Sequence, residues 1–328
     1  VSSCEDAVRD YIRAITAPYA DRSYTDTLGN LIIEKKGVSP GTKKVMLAAH
    51  MDEVGLMVHT ITEDGYLKFR PVGGIDRRVL LGKPVLVGKQ KLPGVIGLKA
   101  YHLTSGEEAR SIPKLTEFYI DIGADSREEA LRHVSPGDIV CFDTDILEFG
   151  HGFLKAKAID DRIGCTVMVE LLKEPLPMDC TFVFTVQEEV GTRGAFGAAF
   201  SVTPDIALIL EGTTAADLPE MESHQKVCLP GKGPVVPYMD GGTVYDRELF
   251  ELLRTLAELG HIPWQTKEFL SGGTDASAIQ RTKEGVRVAA ISAAVRYLHT
   301  PSSVASLEDC QNILILARRF LQAVATME

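Results

Sequence analysis

Residues 181–195, TFVFTVQEEVGTRGA, constrain this chain more than any other stretch. Phe and Val alternate through residues 182–186, the mark of a buried strand. The run ends on two adjacent carboxylates, Glu188 and Glu189, and then breaks at a turn over residues 191–194. Carboxylates at the mouth of a buried strand are costly unless a cation meets them. In an open α/β sheet, ligands collect outside the carboxyl ends of the strands. The pair is therefore expected to face a site, with a metal as a candidate cation. Two solvated loop glutamates are the ordinary alternative.

The same grammar recurs along the chain. Residues 44–50, KVMLAAH, are an apolar run closing on His50. Residues 205–210, DIALIL, lead directly to Glu211, and residues 286–292, VRVAAIS, precede Arg296 and His299. Asp160 and Asp161 open a helix that runs to Leu172. Helices are also expected over residues 194–201 and 246–259, and a strand over 266–270 ahead of the turn 271–275. Ser3 to Asp6 has the form of a capping box, opening a first helix with Val8, Ile12 and Ile15 as its stripe. The last helix is capped by Ser306 with Asp309, and its stripe is Ile313, Ala317, Phe320 and Val324.

Between residues 60 and 150 the texture changes. Short β-type segments at 66–70, 85–87, 94–97, 117–121 and 138–142 recur between turns, and only residues 126–133, capped by Ser126, read as a helix. Many short strands with Gly and Pro turns suggest a small barrel or sandwich. The chain thus reads as an α/β domain, residues 1–60 and 151–328, interrupted by a β-rich insertion at 61–150.

Composition narrows the function. Of 328 residues, 45% are hydrophobic and 24% charged, an ordinary globular balance. The net charge of -10 argues against a nucleic-acid partner. No apolar run approaches the ~20 residues of a membrane helix, and the polar, acidic start lacks a secretory pattern. The six cysteines form no C-x-x-C pair and read as reduced core residues. A cytoplasmic protein is expected.

His50, Asp160, Glu188, Glu189, Glu211 and His299 are therefore the candidate ligands. A parallel sheet would bring their strand ends to one edge. Imidazole and carboxylate without cysteine suit zinc, cobalt or manganese. A carboxylate can bridge two cations ~3.5–4 Å apart, the arrangement of many hydrolases. Adjacent glutamates allow one to bind metal while the other moves a proton.

The ordered motifs Ala-Ala-His50-Met-Asp52-Glu-Val-Gly55, Lys-Ala-Ile-Asp160-Asp-Arg162, Gln187-Glu188-Glu189-Val-Gly191, Glu211-Gly-Thr213, Gly272-Gly-Thr-Asp275-Ala and Arg296-Tyr297-Leu-His299 resemble the tetrahedral metallo-aminopeptidases. This is the family of glutamyl and deblocking aminopeptidases, some members of which were once labelled endoglucanases. Within the β-rich block, Pro93-Gly94-Val95-Ile96-Gly97 and Asp121-Ile-Gly-Ala124 look alike too. The resemblance covers nearly the whole chain. It implies a zinc-peptidase-like α/β/α catalytic domain with a mixed central sheet and an inserted small β-barrel that serves dimerisation, the dimers assembling into a hollow dodecamer. It also implies two divalent metal ions, zinc or cobalt with manganese as a third option. One would be held by His50 and Glu211, the other by Glu189 and His299, with Asp160 bridging. Glu188 would be the general base, and Asp52 would orient His50. Glu211 stands where many relatives have Asp, giving that ligand a longer arm.

The expected reaction is release of N-terminal residues from short peptides. A cationic group near residues 231–242 or 271–275 would favour acidic N-terminal residues. A carboxypeptidase or deacylase on the same scaffold is the nearest alternative. A glucan hydrolase would leave the histidines without a role. A non-catalytic assembly protein would have no use for a spare base at Glu188.

Overall fold

The computed structural model describes residues 1–327. In chain order, helix α1 (Asp6–Thr16) is followed by strands β1 (Arg22–Thr25), β2 (Leu31–Lys35) and β3 (Val45–His50). Strands β4 (Gly55–Ile61), β5 (Leu67–Val72), β6 (Pro84–Val87), β7 (Leu92–Gly97) and β8 (Tyr119–Asp121), helix α2 (Arg127–Leu131) and strand β9 (Ile139–Phe142) come next. The hairpin β10 (Leu147–Phe149) and β11 (Phe153–Ala156) leads to α3 (Ile159–Lys173), β12 (Cys180–Thr185), α4 (Arg193–Val202) and β13 (Ile206–Thr214). The chain closes with α5 (Arg247–Leu259), α6 (Ala276–Gln280), β14 (Arg287–Val295), β15 (Ser303–Ser306) and α7 (Leu307–Val324). Among the described residues no helix is long and apolar enough to cross a membrane.

The expected mixed α/β architecture is present. The central sheet runs β1-β2-β12-β3-β13-β14. Strands β12, β3, β13 and β14 are mutually parallel, while β2 runs antiparallel to β12. Helices cover both faces of a parallel sheet, so its strands are apolar throughout. All six residues of β3 are buried, as are Phe182, Val183 and Phe184 of β12. One face packs against α3 and α7 through Leu47, Phe182, Leu210, Leu172 and Phe320, and the other against α4 and α6 through Met46, Val183, Ala198 and Ile279.

Strands β4-β5-β8-β7-β6-β9 close into a barrel with its own core, including Leu56, Phe69, Val87, Ile120 and Phe142. Its first strand starts at Gly55, ahead of residue 61 where the sequence texture suggests a boundary. Two local expectations need correction. Ser3 does not cap α1: the N-cap position is Glu5, with no side-chain cap bond, and Ser3 lies in the left-handed region at φ 70°. Residues 266–270 form no strand. Gln265 makes an isolated bridge to Val235, which itself bridges Ser292 on the edge strand β14.

Candidate metal centre

Register places the site. Thr185 of β12 pairs with His50 of β3 in parallel, so the Gln187–Glu189 turn projects just beyond His50. Ile209 of β13 pairs with Ala48, and two further steps along both strands bring Glu211 level with His50. The β14–β15 connection returns His299 to the same edge; Asp160 and Asp161, expected to open a helix, lie in the first turn of α3 with non-helical backbone angles, ψ 110° and 44°. This is the carboxyl edge of the parallel strands, where such sheets bind their ligands.

The side chains converge. His50 Nε2 lies 3.0 Å from Glu211 Oε1 and 3.2 Å from Asp160 Oδ1. His299 Nε2 lies 3.2 Å from Glu189 Oε2 and 3.6 Å from Asp160 Oδ2. Each Asp160 oxygen thus faces a different histidine, and each histidine has its own glutamate on the far side. Asp161 is within ligating reach of His50 and Glu211 as well. Its oxygens are already committed, however: Oδ2 accepts the His50 N–H at 3.1 Å and Oδ1 the Gly164 N–H at 2.9 Å. Asp160 is the aspartate whose carboxylate faces both histidines.

The outer contacts fix the imidazoles. His50 Nδ1 is 3.1 Å from the Asp52 carbonyl oxygen, closer than the 3.5 Å to that residue's carboxylate. His299 Nδ1 is 2.8 Å from the Gly74 carbonyl oxygen, on the loop after barrel strand β5. A ring nitrogen that donates to a carbonyl leaves the other with its lone pair facing the cluster. The loop approaches closely because it is glycine: Gly73 has φ +83°, and a Cβ there would meet Val54 Cγ1 at 2.8 Å. Nothing in the sequence near Gly73 and Gly74 marks them as part of a site.

The electrostatics show what is missing from the side chains alone. Burial pushes Glu188 and Glu211 well above the ordinary carboxylate range, and Glu189 up to about 7. Burial would lower His50 and His299, but Glu211, Asp160, Asp52 and Glu189 outweigh it and raise both. Burial would raise Asp52, yet the hydrogen bond and charge of His50, with the Ser2 hydroxyl and Glu188 N–H, bring it to about 2. Asp275, 1% exposed, is raised by burial to about 6. Its Oδ2 accepts from Thr185 Oγ1 at 2.5 Å, while Oδ1 has no partner. Glu211 Oε2 is buried without a partner too. Crowded carboxylates with orphaned oxygens fit divalent cations, and an imidazole–carboxylate set without cysteine suits zinc, cobalt or manganese.

Lys267 is a buried lysine outside the cluster. It is 3% exposed, and its Nζ donates to the Ser271 carbonyl at 3.3 Å. Burial lowers its pKa against the opposing pull of Asp240 and Glu211. Residues 231–242 and 271–275 are tied together here: Gly241 N–H donates to Gly272 O at 2.7 Å, and Tyr245 Oη links Asp240 to Thr274.

The sequence profile described as M42 glutamyl aminopeptidase matches residues 29–316. A relative from Acetivibrio thermocellus is 41% identical over 318 residues, covering 96% of this chain and 93% of its own. The structure of aminopeptidase APDkam598 from Desulfurococcus kamchatkensis superposes with a TM-score of 0.92 at 36% identity, covering 99% of this chain and 94% of that one. A TET1 peptidase of Pyrococcus horikoshii, described as assembling into a tetrahedron or a large octahedral shell, superposes with a TM-score of 0.85 at 34% identity, covering 97% and 94%.

Proposed function

The chain belongs to the M42 glutamyl aminopeptidase family and is a metallo-aminopeptidase, and on that premise we propose a two-metal mechanism for release of N-terminal residues from short peptides. The observation that carries it is Asp160, whose two oxygens face His50 and His299 separately, at 3.2 and 3.6 Å. In this reading Asp160 is the bridging ligand. His50 and Glu211 complete one position, and Glu189 and His299 the other. Two divalent cations held there supply Lewis acidity for the scissile carbonyl and the attacking water. Zinc or cobalt fits the donor set best, with manganese as a third option.

Glu188 then takes the proton from the attacking water and delivers it to the departing amine. Burial raises its carboxyl above the ordinary carboxylate range, the direction suited to a group that must return the proton it takes. Asp52 keeps Glu188 in place: its carboxylate accepts the Glu188 N–H at 3.0 Å and the Glu189 N–H at 3.2 Å. Lys267, beside the turn 271–275, is the cationic group that supports a preference for acidic N-terminal residues. The dodecamer, the dimerising role of the barrel and the cytoplasmic location belong to this reading as well.

The test is chelation followed by metal return, with native protein and Glu188→Ala compared. Cobalt or zinc should restore N-terminal release to the native protein. Glu188→Ala should bind metal yet turn over about a hundredfold to ten-thousandfold more slowly. Full activity after complete metal removal, or a native rate from Glu188→Ala, would overturn the mechanism.

A further inference from the structure

The turn carrying Glu188 and Glu189 has no sheet partner, yet its backbone donors are not left free. Four consecutive N–H groups are taken by three side chains from elsewhere in the chain. Val186 N–H donates to Asn30 Oδ1 at 2.9 Å, Gln187 N–H to Glu5 Oε1 at 3.2 Å, and the next two to Asp52. Gln187 itself has φ +58°. A residue with a side chain is disfavoured in that region, so the surroundings must hold it there.

Asn30 and Asp52 adjoin strands β2 and β3 and are fixed by the sheet. Glu5 is different. It stands before α1, and its position depends on the N-terminal segment being seated. Glu5 is 6% exposed, and its Oε1 also accepts the Ser3 N–H at 2.8 Å. The same segment reaches the site a second time, through Ser2 Oγ donating to Asp52 Oδ2 at 2.6 Å. The stretch that reads in sequence as a helix cap is instead a bolt across the carboxyl edge of the sheet.

We propose that Glu5 is a positioning residue for the reaction, holding Gln187 in its left-handed conformation so that Glu188 points into the metal centre, while Glu189 stays held through Asp52. This rests on the reading of Glu188 as the base. Glu5 is not among the proposed ligands. It acts through the Gln187 backbone, and what it requires is an oxygen acceptor at Oε1 rather than a charge.

The experiment compares native protein with Glu5→Ala and Glu5→Gln by steady-state kinetics, bound metal per chain and amide exchange of residues 186–190. Glu5→Ala should lose about tenfold to a hundredfold in kcat, the scale of a misplaced catalytic group. Its KM and bound metal should match native, and exchange at 187–189 should quicken. Glu5→Gln keeps the acceptor and should restore both rate and protection. If Glu5→Ala does not fold, Glu5→Asp replaces it, since retracting the oxygen by one bond should have the same effect. A kcat within twofold of native, a loss equal in Glu5→Gln, or a loss that follows metal content would overturn the proposal. A native protein inactive on every peptide would instead overturn the reading of Glu188. Exchange at 187–189 would then decide the clamp alone: faster in Glu5→Ala and restored in Glu5→Gln upholds it, unchanged discards it.

Discussion

At the scale of single residues, the site is an excess of buried carboxylate looking for positive charge. Ligands must be deprotonated to bind metal. Burial holds the Glu189 carboxyl at about 7, so protons compete with metal below that pH. Affinity for cobalt or zinc is therefore expected to fall about tenfold between pH 8 and pH 6 from this group alone, which calorimetric titration at several pH values would read. An affinity flat across that range would contradict the placement of Glu189 against the metal. Lys267 carries a second prediction. Lys267→Met should reduce kcat/KM for peptides with N-terminal Glu or Asp by about a hundredfold, the worth of a charge-assisted hydrogen bond, while leaving N-terminal Leu peptides unchanged. An equal loss on both classes would make Lys267 a counter-ion for Asp240 and Glu211 rather than a specificity group.

At the scale of elements, precision comes from strands and helix starts being locked to one another. Helix α5 is an example away from the site. Asp246 caps it by accepting the Leu249 N–H at 3.0 Å, and Arg287 at the start of β14 grips the same carboxylate at 2.8 and 2.9 Å. Asp246→Ala should cost about 1–2 kcal/mol of stability in urea denaturation. The Arg287 hydrogen bond depresses the folded-state pKa of Asp246 below its ordinary 3.8. Its stabilisation is therefore complete above the unfolded value and is lost as pH falls through the folded one. The variant and native protein should differ at pH 7 and converge in strong acid. A gap that persists at the lowest pH would assign the loss to packing instead. The barrel is tied in by a different device, the Gly74 carbonyl on His299, so an element that supplies none of the clustered side chains still sets the orientation of one of them.

At the scale of the whole molecule, the barrel and its connections expose Leu81, Val95, Tyr101, Leu103 and Ile112. In the proposed assembly a neighbouring chain would cover these side chains. The proposed assembly predicts a sedimenting species with the mass of twelve chains of 35.7 kDa. A monomer at micromolar concentration would remove the dodecamer from the functional reading while leaving the metal chemistry in place.

The fold class and the approximate location of the site were legible in the sequence, because both follow from local patterns. An apolar run predicts a buried strand, and a polar residue at its end predicts a position at the sheet edge. His50, Glu188, Glu189 and Glu211 are readable in that way, and the structure clusters His50, Glu189 and Glu211 with Asp160 and His299. What the chain order could not express was decided by contacts between distant segments. Asp160 and Asp161 are the same residue type side by side, and only the bonds from His50 and Gly164 to Asp161 leave Asp160 free to turn inward. Glu5, Gly74 and Lys267 carry no local mark of a site, since each acquires its place from a hydrogen bond or a burial that exists only once the sheet, the barrel and the N-terminal segment have closed on one another. Periodicity and residue type are local properties and survive in the sequence, whereas the orientation of a carboxylate is set by its partners and does not.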